Sequence, residues 1–466
     1  MTRVVIVGGG PGGYESALVA AQLGAEVTLV DRDGLGGSAV LTDCVPSKTL
    51  IATSDIMTWA AESGELGVRV GENGTSSSDD LGSAFGVDLA AVNRRVKELA
   101  ASQSADIARR LTEEGVQVLT SAGRLEGPEH VLVETASGDE RLAADAILVS
   151  TGAHPRVLPT AEPDGERILT WDQVYSLTEI PSRLVVIGSG VTGAEFASAY
   201  NALGIDVVLV SSRDRVLPSE DADAASVIED VLIRRGMTLL GHSRAAGVKR
   251  TDTGVAVTLT DGRVVEGSHC LLAVGSVPNT CDLGLESAGV ELDDGGFVVV
   301  DKVSRTTARG VYAAGDCTGI MMLASVAAMQ GRIAMWHALG DAVRPLDLKT
   351  VSSNVFTDPE IATVGWSQQA VDAGEIDADT VTLRLAGNAR AKMQGVRDGF
   401  VKLFARTGTG VVVGGVIVAP RASELIHPVS LAVASRLTVD DLAHAFTIYP
   451  SMSGSVAEAA RRLHVR

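Results

Sequence analysis

Apolar residues along this chain gather into short β-branched runs, each followed by a glycine turn and a helical stretch. Arg3 to Val7 is such a run, residues 8–13 are the turn, a helix follows through about Leu23, and a second run reaches Val30 and Asp31. Strand, turn, helix, strand is the repeating unit of a parallel sheet. The same succession returns from Arg183 through Glu195 to Val207–Val210. Helical periodicity covers 45–66 and 88–115, separated by a polar, glycine-rich loop at 71–83. Short strands are predicted at 116–133 and 145–150, and 236–275 is strand-rich. Gly310 to Cys317 reads as a strand entering a turn with a carboxylate, and a small-residue helix runs from Met322 to about Leu339. Beyond Pro345, strands at 353–356, 362–364, 400–404 and 411–418 and helices at 422–435, 439–445 and 456–463 predict an α+β region.

Composition narrows the class. Apolar residues are 45% of the chain but aromatics only 3%, so the core material is mostly aliphatic, as in buried parallel strands. A length of 466 residues exceeds one ordinary core and implies several domains. The net charge of -19 repels phosphate backbones, so no nucleic-acid partner is expected. No apolar run approaches the roughly 20 residues of a membrane span, and residues 1–10 show no secretory pattern, so the expected location is cytoplasmic. Four scattered cysteines lack metal-ligand spacing, and no metal is expected.

The glycine turns carry the first chemistry. In the first unit Gly8 permits a tight turn, Gly10 lets backbone approach a pyrophosphate, and Gly13 lets helix pack on strand, with Pro11 and Gly12 opening the helix. The helix N-terminus offers unpaired N–H groups to the anion, and Asp31 stands where a ribose is hydrogen-bonded. Gly188, Gly190 and Gly193 repeat the pattern, so two dinucleotides are expected. The second unit ends in Ser211-Ser212-Arg213-Asp214-Arg215, with no acid at the ribose position. Serines and arginines suit a 2′-phosphate, which favours NADPH with NADH possible. The alternative is that Arg213 and Arg215 only pair with Asp214 or solvent. Ser150-Thr151-Gly152 and Ala273-Val274-Gly275 are small-residue turns that close the two domains.

With two nucleotide units, Cys44-x-Pro46-Ser47-Lys48, Ala313-Ala314-Gly315-Asp316 and a third domain in this order, the chain resembles the pyridine nucleotide-disulfide oxidoreductases, dihydrolipoamide dehydrogenase above all. The resemblance implies an α/β protein with two Rossmann-like dinucleotide-binding domains and a C-terminal α+β interface domain. Its expected boundaries are 1–155 and 276–344 for FAD, 156–275 for NAD(P)H, and 345–466 for dimerisation. It implies a homodimer in which C-terminal residues complete the partner's site. FAD would be held by the first unit, with Gly37, Ser38, Cys44, Lys48, Ala122, Gly123, Thr151-Gly152, Asp316, Leu323 and Ala324 around it. Lys48 and Glu195 match the family's lysine and glutamate beside the flavin.

Two departures redirect the function. The family's Cys-x-x-x-x-Cys has Ala39 in place of its first thiol, leaving only the flavin-side Cys44, and its His-Pro-x-x-x-Glu reads Tyr449-Pro450-Ser451-Met452-Ser453-Gly454. His444 lies nearby and reads as a surface histidine. Losing a general acid–base costs roughly 10²–10⁴ in rate, and losing the exchange thiol removes the covalent route. An engineered cysteine replacement would not also remove the base pair. The expectation is an FAD-dependent NAD(P)H:quinone oxidoreductase in which the flavin itself meets a quinone-type acceptor, with Cys44, Lys48, Glu195 and Tyr449 as catalytic candidates. The alternatives are a soluble transhydrogenase, a residual diaphorase, or a non-catalytic flavin-binding subunit.

Overall fold

A computed structural model of the chain describes residues 1–69, 85–136 and 138–464; the loop expected at 71–83 lies outside them. The first nucleotide unit forms β1 (Arg3–Val7), α1 (Pro11–Gln22) and β2 (Glu26–Asp31). Then come α2 (Gly37–Leu41), α3 (Cys44–Glu62), α4 (Leu89–Glu113), β3 (Gln117–Thr120) and β4 (Ala146–Val149). The second contributes β5 (Ile168–Thr170), β6 (Arg183–Ile187), α5 (Val191–Ala202), β7 (Asp206–Val210), α6 (Ala222–Arg234), β8 (Thr238–Leu240) and β9 (His269–Leu272). The chain continues through β10 (Val311–Ala313) and α7 (Ala324–Ala338).

By contact the chain groups into two compact units, one of 1–49, 93–156 and 275–347, the other of 50–92, 157–274 and 348–466. In the first, the parallel sheet has the order β10-β4-β1-β2-β3. Apart from the edge strand β3, its strands are largely buried on both faces, with Ile6, Leu29, Ile147 and Leu148 wholly excluded from solvent, each side chain contributing about 1.5–3 kcal/mol. Helices α1 and α7 cross where neither could carry a larger residue: a Cβ on Gly331 would lie 2.2 Å from the Gly12 carbonyl oxygen. Where the chain leaves and rejoins this unit, Ala153–Pro155 and Ser276–Pro278 pair antiparallel.

In the second unit the parallel order is β8-β7-β6-β9-β5. The same unit holds an antiparallel sheet of β11 (Ser352–Val355), β12 (Glu360–Gly365), β13 (Ala378–Arg384), β14 (Phe400–Arg406) and β15 (Val412–Ala419), in the order β11-β12-β15-β14-β13. Strand β13 went unpredicted because it is an edge strand with no fully buried position. The helix expected over 422–435 is instead two, Ala422–Leu425 and His427–Ser435. Pro428 explains the division, since it has no N–H to continue the ladder.

One ion cluster ties this unit together. The Lys402 ammonium on β14, 2% exposed, donates to both oxygens of Asp221 at 2.9 and 2.8 Å and to Asp223 at 2.7 Å. Asp221 also caps α6, accepting from the Asp223 and Ala224 amides. Removing one partner strands a buried charge, so Lys402→Met is expected to cost about 3–5 kcal/mol. Denaturant unfolding of Lys402→Met and of the double variant Lys402→Met/Asp221→Leu checks this. The double variant should recover part of the loss, and equal stability of wild type and single variant would contradict the assignment.

Candidate active site

In the first unit the site is built by backbone that side chains cannot enter. Gly8 has φ +105°, and a Cβ there would sit 2.2 Å from the Ser150 carbonyl oxygen. A Cβ on Gly13 would meet the Gly8 oxygen at 1.8 Å, and one on Gly37 the Gly10 Cα at 2.8 Å. Gly10 is the extended cap of α1 and no side chain caps that helix, so its first-turn amides stay available to an anion. The Asp31 carboxylate accepts from the Gly9 amide at 2.6 Å through Oδ2 and from Asp33 and Gly34 through Oδ1. It therefore braces the turn at the end of β2, the position where the sequence pattern expects a ribose contact. Ala122 and Gly123 flank the end of β2, with a Gly123 Cβ 3.2 Å from Val30.

The opposite wall is equally ordered. Ser150 is buried, and Thr151 exchanges hydrogen bonds with Asn279, Oγ1 to carbonyl at 2.6 Å and Asn279 Nδ2 to the Thr151 carbonyl at 2.9 Å. Gly152, at φ +70°, accepts from the Asn279 amide. The Gly315 amide donates to buried Gln330 at 2.9 Å, which sets the turn carrying Asp316. Burial, reinforced by the Asp43 charge, pushes the Asp316 carboxyl up to about 6 from 3.8. Leu323 is the extended cap of α7, Ala324 its first residue, and no side chain caps this helix either. The close-packed turn, the two uncapped helix starts and the half-buried carboxyl fit a dinucleotide with a hydroxylated chain, such as FAD.

Ala39 sits within α2 and Cys44 opens α3, with the Asp43 amide donating to the Ser38 carbonyl at 2.7 Å between them. Lys48 is half-buried on the next turn of α3. None of the four cysteines forms a disulfide; Cys270 and Cys317 are buried, which pushes both thiols up, Cys317 to about 11. No cluster among the described residues suits a metal ion.

The second unit repeats the cradle. Gly188, at φ +110°, would place a Cβ 2.1 Å from the Ala273 oxygen, and a Gly193 Cβ would meet the Gly188 oxygen at 1.8 Å. Gly190 caps α5 without side-chain help, and Gly275 ends the closing turn at φ +96°. Glu195 is buried on α5, and its Oε1 accepts from the Phe356 amide at 2.8 Å, a tie that no local pattern announces. The loop after β7 is not uniformly a phosphate pocket. Ser211 is buried, its hydroxyl sharing a 2.7 Å hydrogen bond with Ser189 and accepting from the Arg213 amide. Arg215 turns inward to the Pro218 and Glu220 carbonyls. Ser212 and Arg213 remain exposed. Tyr449 is exposed beside Phe446 and Ile448, and His444 is an exposed residue bonded to the Asp440 carbonyl.

Two dinucleotide cradles in one chain, one of them lined by a half-buried carboxyl and a cysteine-led helix, define a two-cofactor flavoprotein oxidoreductase. The chain belongs to the pyridine nucleotide-disulphide oxidoreductase family: residues 2–331 match that family and 351–460 match its dimerisation domain. Membership implies FAD and a nicotinamide nucleotide. A Mycobacterium tuberculosis protein named NAD(P)H dehydrogenase (quinone) is 54% identical, covering 99% of this chain and 94% of its own. A dihydrolipoyl dehydrogenase of Chlorobaculum parvum is 33% identical over 98% of this chain and 96% of its own. The crystal structure of LpdA from Mycobacterium tuberculosis superposes with a TM-score of 0.94 at 53% identity, covering 100% of both chains. No helix among the described residues is long and apolar enough to cross a membrane.

Asp316 generates a pH signature. A carboxyl whose folded value is raised keeps a proton that the unfolded chain releases, so its contribution to stability is lost as pH rises from about 4 to about 6. In protein freed of FAD, Asp316→Asn is expected to raise the melting temperature above pH 6 and leave it unchanged at pH 4. The same variant should release FAD more readily on dilution. FAD retention equal to wild type would remove Asp316 from the cofactor site.

Proposed function

We propose that the protein is an NAD(P)H:quinone oxidoreductase that uses FAD, with NADPH as the preferred donor, and not a disulfide reductase. The carrying observation is that Ala39 stands where an exchange thiol is needed while both dinucleotide cradles are intact. The name of the 54%-identical Mycobacterium tuberculosis relative supports the same reading. FAD, when bound, supplies the chemistry that takes hydride from the nicotinamide and delivers electrons to an acceptor.

The chain's own residues bind and orient. The α1 amides, with Gly8, Gly10 and Gly37, would hold the pyrophosphate of FAD, Asp316 its hydroxylated chain, and Lys48 would place an ammonium to offset negative charge on the reduced ring. The glycine turn at 188–193 would hold the nicotinamide nucleotide. Glu195, fixed by the Phe356 amide, would orient groups around the site without leaving its buried position. Cys44, with no second thiol five residues before it, would line the flavin floor and exchange no disulfide.

The protein would act as a homodimer. The exposed run of Phe446, Ile448 and Tyr449, exposed 107%, 81% and 86%, lies within the residues matched to the dimerisation domain and is the kind of apolar patch that a second copy covers. Tyr449 would complete the partner's site and donate its phenolic hydrogen to a quinone oxygen.

Steady-state kinetics with menadione, benzoquinone and lipoamide test this reading. Turnover is expected with both quinones and negligible with lipoamide, and the reverse would overturn the proposal. Tyr449→Phe is expected to lower quinone kcat/KM by up to about tenfold, the worth of one hydrogen bond, without changing the rate of flavin reduction by NADPH in stopped flow.

A further inference from the structure

We propose that His242 acts with Arg213 as a reader of the nucleotide 2′-phosphate and so sets the preference for NADPH over NADH. The inference rests on the reading that the second sheet holds NADPH. Strands β7 and β8 are parallel neighbours with Val210 opposite Leu240, so the loops leaving them emerge side by side at the carboxyl edge of the sheet. This is the edge at which nucleotides bind in such folds.

Three hydrogen bonds sew the two loops together. The Ser211 amide donates to the Leu240 carbonyl at 2.9 Å, the His242 amide to the Arg213 carbonyl at 2.8 Å, and the Ser243 amide to the Ser211 carbonyl at 2.7 Å. The Ser211–Ser189 hydroxyl pair at 2.7 Å then fixes this double loop to the glycine turn. The turn that would cradle the pyrophosphate and the residues beyond β7 and β8 therefore form one rigid frame.

His242 itself is held at φ +50°, a left-handed conformation that costs a non-glycine residue free energy and is common at ligand-binding loops. Among the described residues, neither its ring nor the Arg213 guanidinium takes part in a hydrogen bond or ion pair, and both are exposed. Two of the neighbouring cations differ. Arg215 is committed to the Pro218 and Glu220 carbonyls, and Arg263 to Asp261 and the Ser243 hydroxyl. In a chain of net charge -19, an unpaired guanidinium and an imidazole carried on hydrogen-bonded loops at the carboxyl edge of the sheet suit a phosphate monoester, which takes charge-assisted hydrogen bonds from both. A nucleotide with a free 2′-hydroxyl gains nothing comparable from them.

The test is kcat/KM for NADPH and for NADH in the FAD-loaded protein, with menadione saturating, for wild type, Arg213→Ala, His242→Asn and the double variant. Asparagine tolerates positive φ, so His242→Asn removes the imidazole and leaves the loop its conformation. Wild type is expected to favour NADPH. His242→Asn should lower NADPH efficiency about tenfold, through KM and not kcat, and leave NADH efficiency unchanged; 2′-AMP should lose inhibitory strength in step while 5′-AMP does not. A wild type without NADPH preference overturns the nucleotide reading and this inference with it. NADPH preference in wild type that survives intact in His242→Asn overturns this inference alone, as does an equal loss with both nucleotides.

Discussion

Each parallel sheet depends on a contact that admits no side chain. Gly8 lies against the Ser150 carbonyl and Gly13 against Gly8; Gly188 lies against the Ala273 carbonyl and Gly193 against Gly188. A methyl group at any of the four would overlap backbone, which cannot yield as a flexible side chain can. Helix, first strand and fourth strand are thereby drawn together at one point, and the crevice at the reversal of strand order opens directly above it. The uncapped helix amides face that crevice because the glycines leave nothing else to satisfy them.

This repetition makes the departures around Cys44 and Tyr449 informative. A chain that had lost function broadly would relax its most demanding backbone positions, and here both cradles keep their steric limits. The departures are Ala39 where the expected pattern has a thiol and Tyr449 and Gly454 where it has an acid–base pair, the positions that the proposed function assigns to the acceptor. A relay of thiol and base works only as a unit, and its members are missing together.

The glycine turns, Asp31 and the succession of strands and helices were legible in the sequence because their causes are local, a φ that only glycine accepts or a period of apolar residues. The roles of Ser211 and Arg215 were not. In a string of serines and arginines both look like phosphate ligands, yet one is buried against Ser189 and the other is spent on carbonyls five residues away at most. The Glu195–Phe356 and Lys402–Asp221 ties join positions more than 150 residues apart. His242 carries no motif, and only the pairing of β7 with β8 places it beside Arg213. Edge strand β13 was missed because its residues alternate without a buried face strong enough to announce it.

The Lys402 cluster has a consequence for motion. Because one ammonium neutralises the cap of α6 from a strand of the antiparallel sheet, the first turn of α6 cannot open without exposing that charge, nor can β14 peel away without orphaning the cap. The two segments would then share a single sub-global opening and one common opening free energy for amide hydrogen exchange at their slowest sites. A nucleotide that tightens the β7 loop would slow exchange in the antiparallel sheet, where it touches nothing. Occupancy of the proposed donor site would thus be felt as stiffness in the region that matches the dimerisation domain.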